Sequence, residues 1–309
     1  MKYQGDTLSD EMTETFGKKT VKLSHLNKLY WEKEGISKGA LIAYYRDMAG
    51  YILPYLKDKP LSLKRQPNGT KDEGFFQKDV DPELLPTWAK TTLIHSESND
   101  KDIHYLVCND AATLLFMINM GCIEIDPWLS SYKKPEQPDF MVLDLDPNDV
   151  PFSQTIETAL KAKEVFDRLG LDAYIKTSGS RGLHIYCYLG AKYQYELTRT
   201  LMGQIATLIH SELPAITSIE RNPAKRPNKM YLDFLQNSRG QTVAAPYSVR
   251  PKPGATVSAP LAWEEVNDSL KVADHTIFTM PGRVKNNSDP WKNLFSKKAD
   301  LRKAMALLK

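Results

Sequence analysis

Cysteine is scarce in this chain: Cys108, Cys122 and Cys187 are the only three. They stand far apart with no CxxC pair, which argues against a disulfide framework and against a cysteine-held zinc. Long apolar runs are also missing. None approaches the roughly 18 residues that a membrane span needs, and the N-terminus, MKYQGDTLSDEM, is polar and partly acidic. That argues against an anchor or a secretory signal and makes the cytoplasm the natural reading. Nor does one sign of charge dominate. The 41 Lys and Arg against 38 Asp and Glu leave +3, so global charge does not announce a nucleic-acid binder. No period of about 20–50 residues recurs, which excludes a solenoid.

What is present is ordinary folded material: 309 residues, 41% hydrophobic and 26% charged, enough for one large core or two modules sharing an interface. Residues 1–20 read as a loosely held leader. Ser37-Lys38-Gly39 opens a helix whose buried face carries Leu41, Ile42, Tyr45, Met48, Ile52 and Leu56. Residues 60–79 read as a short strand, a polar turn at Pro67-Asn68-Gly69 and a return segment. Asp110 caps a second apolar helix that Gly121 closes. Helical patterns follow at 153–169 and 194–212, with strands at 140–146, 173–177 and 230–235. The mixture lacks a regular βαβ alternation, which favours an α+β fold over a doubly wound sheet.

The run MVLDLDP carries the most chemistry. Its apolar lead predicts a buried central strand, and alternation then projects Asp144 and Asp146 to one side, roughly 6.5–7 Å apart at the backbone. Two such carboxylates repel one another unless a cation compensates, and hard oxygen ligands suit Mg²⁺ or Mn²⁺. The bland alternative is a strand end turning into solvent at Pro147 and Asn148. Asp233 lies in a second apolar strand, YLDFL, where an acid needs a partner: a shared metal, or a salt bridge to Lys229 or Arg226. Three carboxylates from two strands suit a pair of ions about 3.5–4 Å apart.

SGSRGLH is the second informative piece. Its glycines and serines suit a phosphate-cradling backbone, Arg181 offers a fork for phosphate oxygens, and the ring of His184 is able to donate. A tight hairpin with a structural histidine is the alternative. The basic run ERNPAKRPNK, Glu220 to Lys229, serves equally as a polyanion contact or as a solvated loop.

Taken in order, DLD, SGSRGLH and a strand with a lone Asp resemble the archaeo-eukaryotic primase superfamily. The likeness is closest to the primase-polymerase domain of bacterial and archaeal non-homologous end joining, the polymerase part of ligase D. The flanks LNKLYW, SKGALIAYY, PLSLKRQPNG, FFQKD, NDAATLLFMINMG and YLDFLQNSRGQTVAAPYSVR carry it across most of the chain. The resemblance implies an α+β fold, a primase-like core on an RRM-type antiparallel sheet with an accessory α/β module. It implies a single primase-polymerase domain over 1–309 with catalytic motifs within 139–250.

By position it implies Asp144, Asp146 and Asp233 as catalytic metal ligands for Mn²⁺ or Mg²⁺. Ser178, Arg181, His184, Lys64, Arg226, Gln236 and Arg250 fall at nucleotide-binding positions. Lys28 and Lys38 match a pair that grips a 5′-phosphate, and Phe75 and Phe76 match aromatics that stack on template bases. From the residues alone, those two phenylalanines read as core. The family often carries His where IEIDPW places Asp126, which bears on metal preference or ribose handling.

The function implied is template-dependent nucleotidyl transfer onto DNA ends and gaps during end joining, by two-metal-ion catalysis on an NTP or dNTP. Ribonucleotides would be preferred, and Ku and a DNA ligase are the implied partners in a prokaryotic, nucleoid-associated setting. A primer-independent primase is disfavoured, since such enzymes often carry a zinc element that three scattered cysteines cannot supply. A non-catalytic end-bridging module is disfavoured because three carboxylates facing a polyanion would weaken pure DNA binding.

Overall fold

The computed structural model describes residues 9–97 and 100–308. The chain divides into two compact units. The first contains the described residues up to Pro127 with Ala244–Val257 and Ala273–Asn287; the second contains Trp128–Val243, Ser258–Val272 and Ser288 onward.

The first unit opens on the hairpin β1 (Glu11–Phe16) and β2 (Lys19–Ser24), turned at Gly17. The expected leader is thus structured from Glu11 onward, while its residues 1–8 lie outside the described residues. A short pair, β3 (Leu29–Trp31) and β4 (Ile36–Ser37), leads into α1 (Lys38–Asp47) and α2 (Ala49–Leu56). The Ser37 hydroxyl caps α1 by accepting from the Ala40 amide. The six apolar residues expected on the buried face are all buried. Strands β5 (Leu61–Arg65) and β6 (Phe75–Gln77) are the expected strand and return. A second hairpin, β7 (Lys90–Ser96) and β8 (Lys101–Val107), precedes α3 (Ala111–Asn119), which Asp110 caps through the Thr113 amide. Strand β9 (Cys122–Pro127) completes a three-stranded sheet in the order β6-β5-β9. Buried tyrosines pin the returning segment: Tyr44 donates to the Tyr247 carbonyl, and the Tyr45 hydroxyl accepts from the Val249 amide.

The second unit is built on one sheet. Its elements run β10 (Phe140–Asn148), α4 (Phe152–Arg168), β11 (Tyr174–Thr177), β12 (Leu183–Tyr188), α5 (Tyr195–Glu212), β13 (Thr217–Ser218), β14 (Lys229–Asp233) and β15 (Pro260–Leu261). The sheet order is β13-β14-β10-β12-β11-β15. The central β10-α4-β11-β12-α5-β14 is a βαββαβ path, and its strands lie fourth, first, third, second, all antiparallel. This is the RRM-type sheet that the resemblance implies. The chain returns to the first unit for α6 (Met280–Asn287) and closes the second with α7 (Leu301–Leu307).

Alternation divides this sheet into two different faces. Leu143, Leu145, Ile175, Leu183, Ile185, Met230 and Leu232 point to the side where α4 and α5 pack, with Ala159, Ala162, Phe166, Met202, Ile205 and Ile209 filling the core. Burying a leucine or isoleucine there contributes roughly 1.5–3 kcal/mol, so the register of every strand is fixed from that side. The opposite face therefore receives whatever stands at the intervening positions. Those include Asp144, Asp146, His184, Lys176, Tyr231 and Asp233, beside Val142, Tyr174 and Tyr186. None of the described helices is long and apolar enough to cross a membrane.

Candidate active site on the polar face of the sheet

Register lines the polar residues up across the strands. Asp233 of β14 stands opposite Asp144 of β10, Asp144 opposite His184 of β12, and His184 opposite Lys176 of β11. Asp146 lies one step along, opposite Tyr231. A single row thus reads Asp233, Asp144, His184, Lys176. Directly opposed residues in an antiparallel pair have Cβ atoms about 4.5–5.5 Å apart, so the row is a continuous contact. Oδ1 of Asp144 is 3.4 Å from Nε2 of His184, and Nδ1 of His184 is 2.8 Å from Nζ of Lys176.

Each carboxylate has a local reason for its position. The Asp233 Oδ1 accepts from the Leu235 amide at 2.8 Å, a turn made by the side chain itself, and this ends β14 at the acid. The other oxygen accepts from Nε2 of Gln236 at 3.0 Å. Burial raises the Asp233 carboxyl above its ordinary value, and the neighbouring charge of Asp146 adds to the rise. Past Asp233 the ladder along β10 is continued by a side chain. Asn237 accepts from the Val142 amide at 2.8 Å and donates to its carbonyl at 2.6 Å.

Arg226 is 5% exposed and lies over the Tyr231 ring, its carbon 4.2 Å from the centroid. Nη2 is 3.7 Å from Asp146, while Nε and Nη1 are buried without a hydrogen-bond partner. A buried guanidinium with two nitrogens lacking a protein partner costs free energy. The salt bridges weighed for Asp233 are not formed: Arg226 approaches Asp146 instead, and Lys229 donates to the carbonyls of Pro214 and Ala215.

In SGSRGLH the loop holds itself. The Ser178 hydroxyl accepts from the amides of Ser180 and Gly182, both at 3.1 Å, and the Ser178 amide donates to the Gly182 carbonyl. Two amides expected to face an anion are thus already engaged by Ser178, while Arg181 is exposed at the tip. Glycine is required at 182 because a Cβ there would lie 2.1 Å from the Leu145 carbonyl oxygen.

The structure brings Asp144, Asp146, Asp233, His184, Arg226 and Gln236 to one face of one unit. As placed, no group of three or more His, Cys, Asp or Glu side chains among the described residues is drawn tightly enough to hold an ion. The donor set nonetheless fits a hard divalent cation: three carboxylates with no thiol, and a half-buried Asp233 whose ionised form is penalised by its surroundings. Lys176 was missed by sequence reasoning; a lysine at a strand-interior position beside Ile175 was the available signal. Asn237 was also missed, and its role depends on where β14 stops.

The remaining predicted residues belong to the first unit. Lys38 is 4% exposed, donating to the Ser24 carbonyl at 2.7 Å and to Asn119 at 2.8 Å. Burial, reinforced by the charge of Lys28, pushes its ammonium down to about 8. Lys28 donates to Asn68 at 2.8 Å. Phe75 and Phe76 are 48% and 58% exposed, so the core reading of these two rings fails; they sit on the short edge strand β6. Arg65 lies over Phe75 and Lys64 over Phe76, at 5.4 and 4.7 Å. Arg250 pairs with Glu124 at 2.8 Å, and Asp126 is buried on β9 opposite Ser62.

Known proteins resemble this arrangement over most of its length. Residues 37–291 match the family model described as LigD, primase-polymerase domain. The bifunctional non-homologous end joining protein LigD of Bacillus subtilis is 32% identical over 282 residues, covering 91% of this chain and 45% of that protein. The multifunctional LigD of Pseudomonas aeruginosa is 32% identical over 286 residues, covering 88% of this chain and 32% of that protein. The chain thus spans less than half the length of these relatives. The solved polymerase domain of Mycobacterium tuberculosis ligase D, in complex with DNA, superimposes with a TM-score of 0.83 at 25% identity, covering 90% of this chain and 99% of that one. On sequence, and on a fold with the acids of one sheet face in line, the chain belongs to the LigD primase-polymerase domain family.

Proposed function

We propose that this chain is a template-dependent nucleotidyltransferase that fills gaps and extends 3′ ends at DNA breaks, with ribonucleotides preferred. The observation that carries the reading is the row Asp233, Asp144 and His184, with Asp146 one step on, across the polar face of the sheet. Asp144, Asp146 and Asp233 would hold two divalent ions, Mn²⁺ or Mg²⁺. Such ions supply the positive charge that activates a 3′-hydroxyl and neutralises a triphosphate. Gln236 orients Asp233 through its amide. Arg226, with two buried nitrogens unsatisfied, is suited to a phosphate oxygen, as is exposed Arg181. Ser178 keeps the 178–184 turn in shape so that His184 meets the row.

Lys28 and Lys38 are two nearby cations whose mutual repulsion a 5′-phosphate dianion would relieve. Phe75 and Phe76 offer exposed rings for stacking, worth about 1–3 kcal/mol per base without sequence preference. Lys64 and Arg250 are proposed as nucleotide-binding residues on the resemblance alone. Ku and a DNA ligase are the proposed partners in a prokaryotic nucleoid.

The test is nucleotide incorporation opposite a defined template base in a one-nucleotide gap, with the downstream strand 5′-phosphorylated or 5′-hydroxylated. Templated addition, faster with the phosphate and with ribonucleotides, is expected. Untemplated addition, or indifference to the phosphate, would remove the gap-filling reading.

A further inference from the structure

We propose that Lys176 is a positioning residue that fixes His184 as a hydrogen-bond donor through Nε2, and so bars it from ligating metal. Lys176 is fully buried, on a strand otherwise committed to packing. Its ammonium meets Nδ1 of His184 at 2.8 Å, the hydroxyl of Ser258, and the face of the Tyr186 ring. The direction of this chain of bonds is determined from its far end. Ser258 donates its proton to the Thr177 carbonyl at 2.9 Å, so its oxygen is left to accept from Lys176. Thr177 in turn accepts from the Ala259 amide through its hydroxyl, which fastens the segment holding Ser258 to β11.

An ammonium has protons to give and no lone pair, so toward His184 it also donates. Nδ1 must then be bare, and in a neutral imidazole the proton sits on Nε2. Nε2 is the nitrogen that faces Asp144 at 3.4 Å. A ring nitrogen bearing hydrogen cannot coordinate an ion, so His184 presents a donor to the acidic row. It suits an anion brought there, such as a triphosphate oxygen. The cross-strand register makes the coupling direct, since Lys176 opposes His184 and His184 opposes Asp144.

The functional half of the inference rests on the proposed nucleotidyl transfer, whereas the tautomer does not, and one experiment separates them. Nitrogen NMR of the metal-free chain, with His184 assigned through His184→Gln, reads which ring nitrogen carries the proton. Wild type is expected to show Nε2–H with Nδ1 bare. Lys176→Met, similar in length and apolar, is expected to release the ring into a mixture of tautomers. It should lower the incorporation rate about tenfold or more with little change in DNA affinity.

A proton on Nδ1 in wild type overturns the inference. So does Lys176→Met with an unchanged tautomer, or with a changed tautomer and full rate. Should Lys176→Met fail to fold, Ser258→Ala loosens the same ammonium and is held to the same two readouts. A wild-type chain that shows Nε2–H but incorporates nothing would refute the proposed activity and leave the tautomer standing.

Discussion

At the scale of single residues, the two units put charge where burial opposes it. Asp233 is raised by burial and by Asp146, so its ionised form is held at a cost in the metal-free protein. Because the folded value lies above the unfolded one, this group favours folding below the unfolded value. The advantage is lost as pH rises through the folded one. Asp233→Asn removes the charge. Gln236 can rotate its amide to offer Oε1, now buried without a partner, to the new side chain. The expected result is a melting temperature higher by about 2 °C in the metal-free protein, with incorporation abolished. A variant both less stable and active would contradict the placement of this charge.

Lys38 provides the second prediction at this scale. Its ammonium is present below about 8 and lost above it, and a phosphate monoester becomes a dianion above about 6. Affinity for a gap bearing a 5′-phosphate should therefore be greatest between those values and fall as pH rises through about 8. A 5′-hydroxyl gap should show little of that fall. Equilibrium titrations of both gaps across this range check it; parallel curves would remove Lys38 from phosphate recognition.

Asp144 and Asp146 were legible in the sequence because charge in an apolar strand is conspicuous, whereas Arg226, in a loop, was placed by the resemblance. Lys176 was not legible, since its importance comes from facing His184 across a strand pair. Ser178 was read as part of a phosphate cradle, and its hydroxyl oxygen accepts from the loop's own amides.

At the scale of elements, register is what makes a site of scattered residues. The turn joining β11 to β12 fixes where His184 falls, and Gly182 allows that turn to close against the Leu145 carbonyl. Gly182→Ala would push the strands apart at the head of the row. A loss of about 1–3 kcal/mol from overpacking is expected, together with a loss of incorporation larger than stability alone accounts for. Chemical denaturation and rate measurement at a temperature where the variant is folded check this; full activity would show that the turn does not set the row.

The edge strand β6 makes the opposite prediction. Phe75 and Phe76 are largely exposed, so the double change to alanine should alter stability by less than about 0.5 kcal/mol. Yet it should weaken binding to gapped DNA about tenfold or more. Loss of stability with unchanged DNA affinity would mean that the rings belong to packing after all.

Strands and helices were mostly visible in the sequence. Apolar alternation, the Ser37 and Asp110 caps and Gly121 marked them correctly. The hairpin over residues 11–24 was not visible, because its outward positions are polar and its only fully buried residues are Val21 and Leu23. The strand expected to run to 235 stops at Asp233, since a side-chain turn ends it there.

At the scale of the whole molecule, a net charge of +3 conceals the arrangement. Acids gather on the polar face of the second unit's sheet, while Lys28, Lys38, Lys64 and the exposed rings belong to the first unit. Composition could not separate them, and the sequence was read as a single domain over 1–309. The RRM-type sheet was legible through the resemblance, and its strands and helices lie between Phe140 and Asp233. The return of segments 244–257 and 273–287 to the first unit was not, because long-range pairing leaves no local pattern.

The claim that the acidic row performs nucleotidyl transfer is tested most directly by Asp144→Ala on gapped, 5′-phosphorylated DNA with Mn²⁺. Extension and DNA affinity are measured on the same preparation. Wild type should extend the primer, and the variant should bind the DNA as tightly while extension falls by about a thousandfold or more. Undiminished extension by the variant, or none by the wild type, would contradict the account.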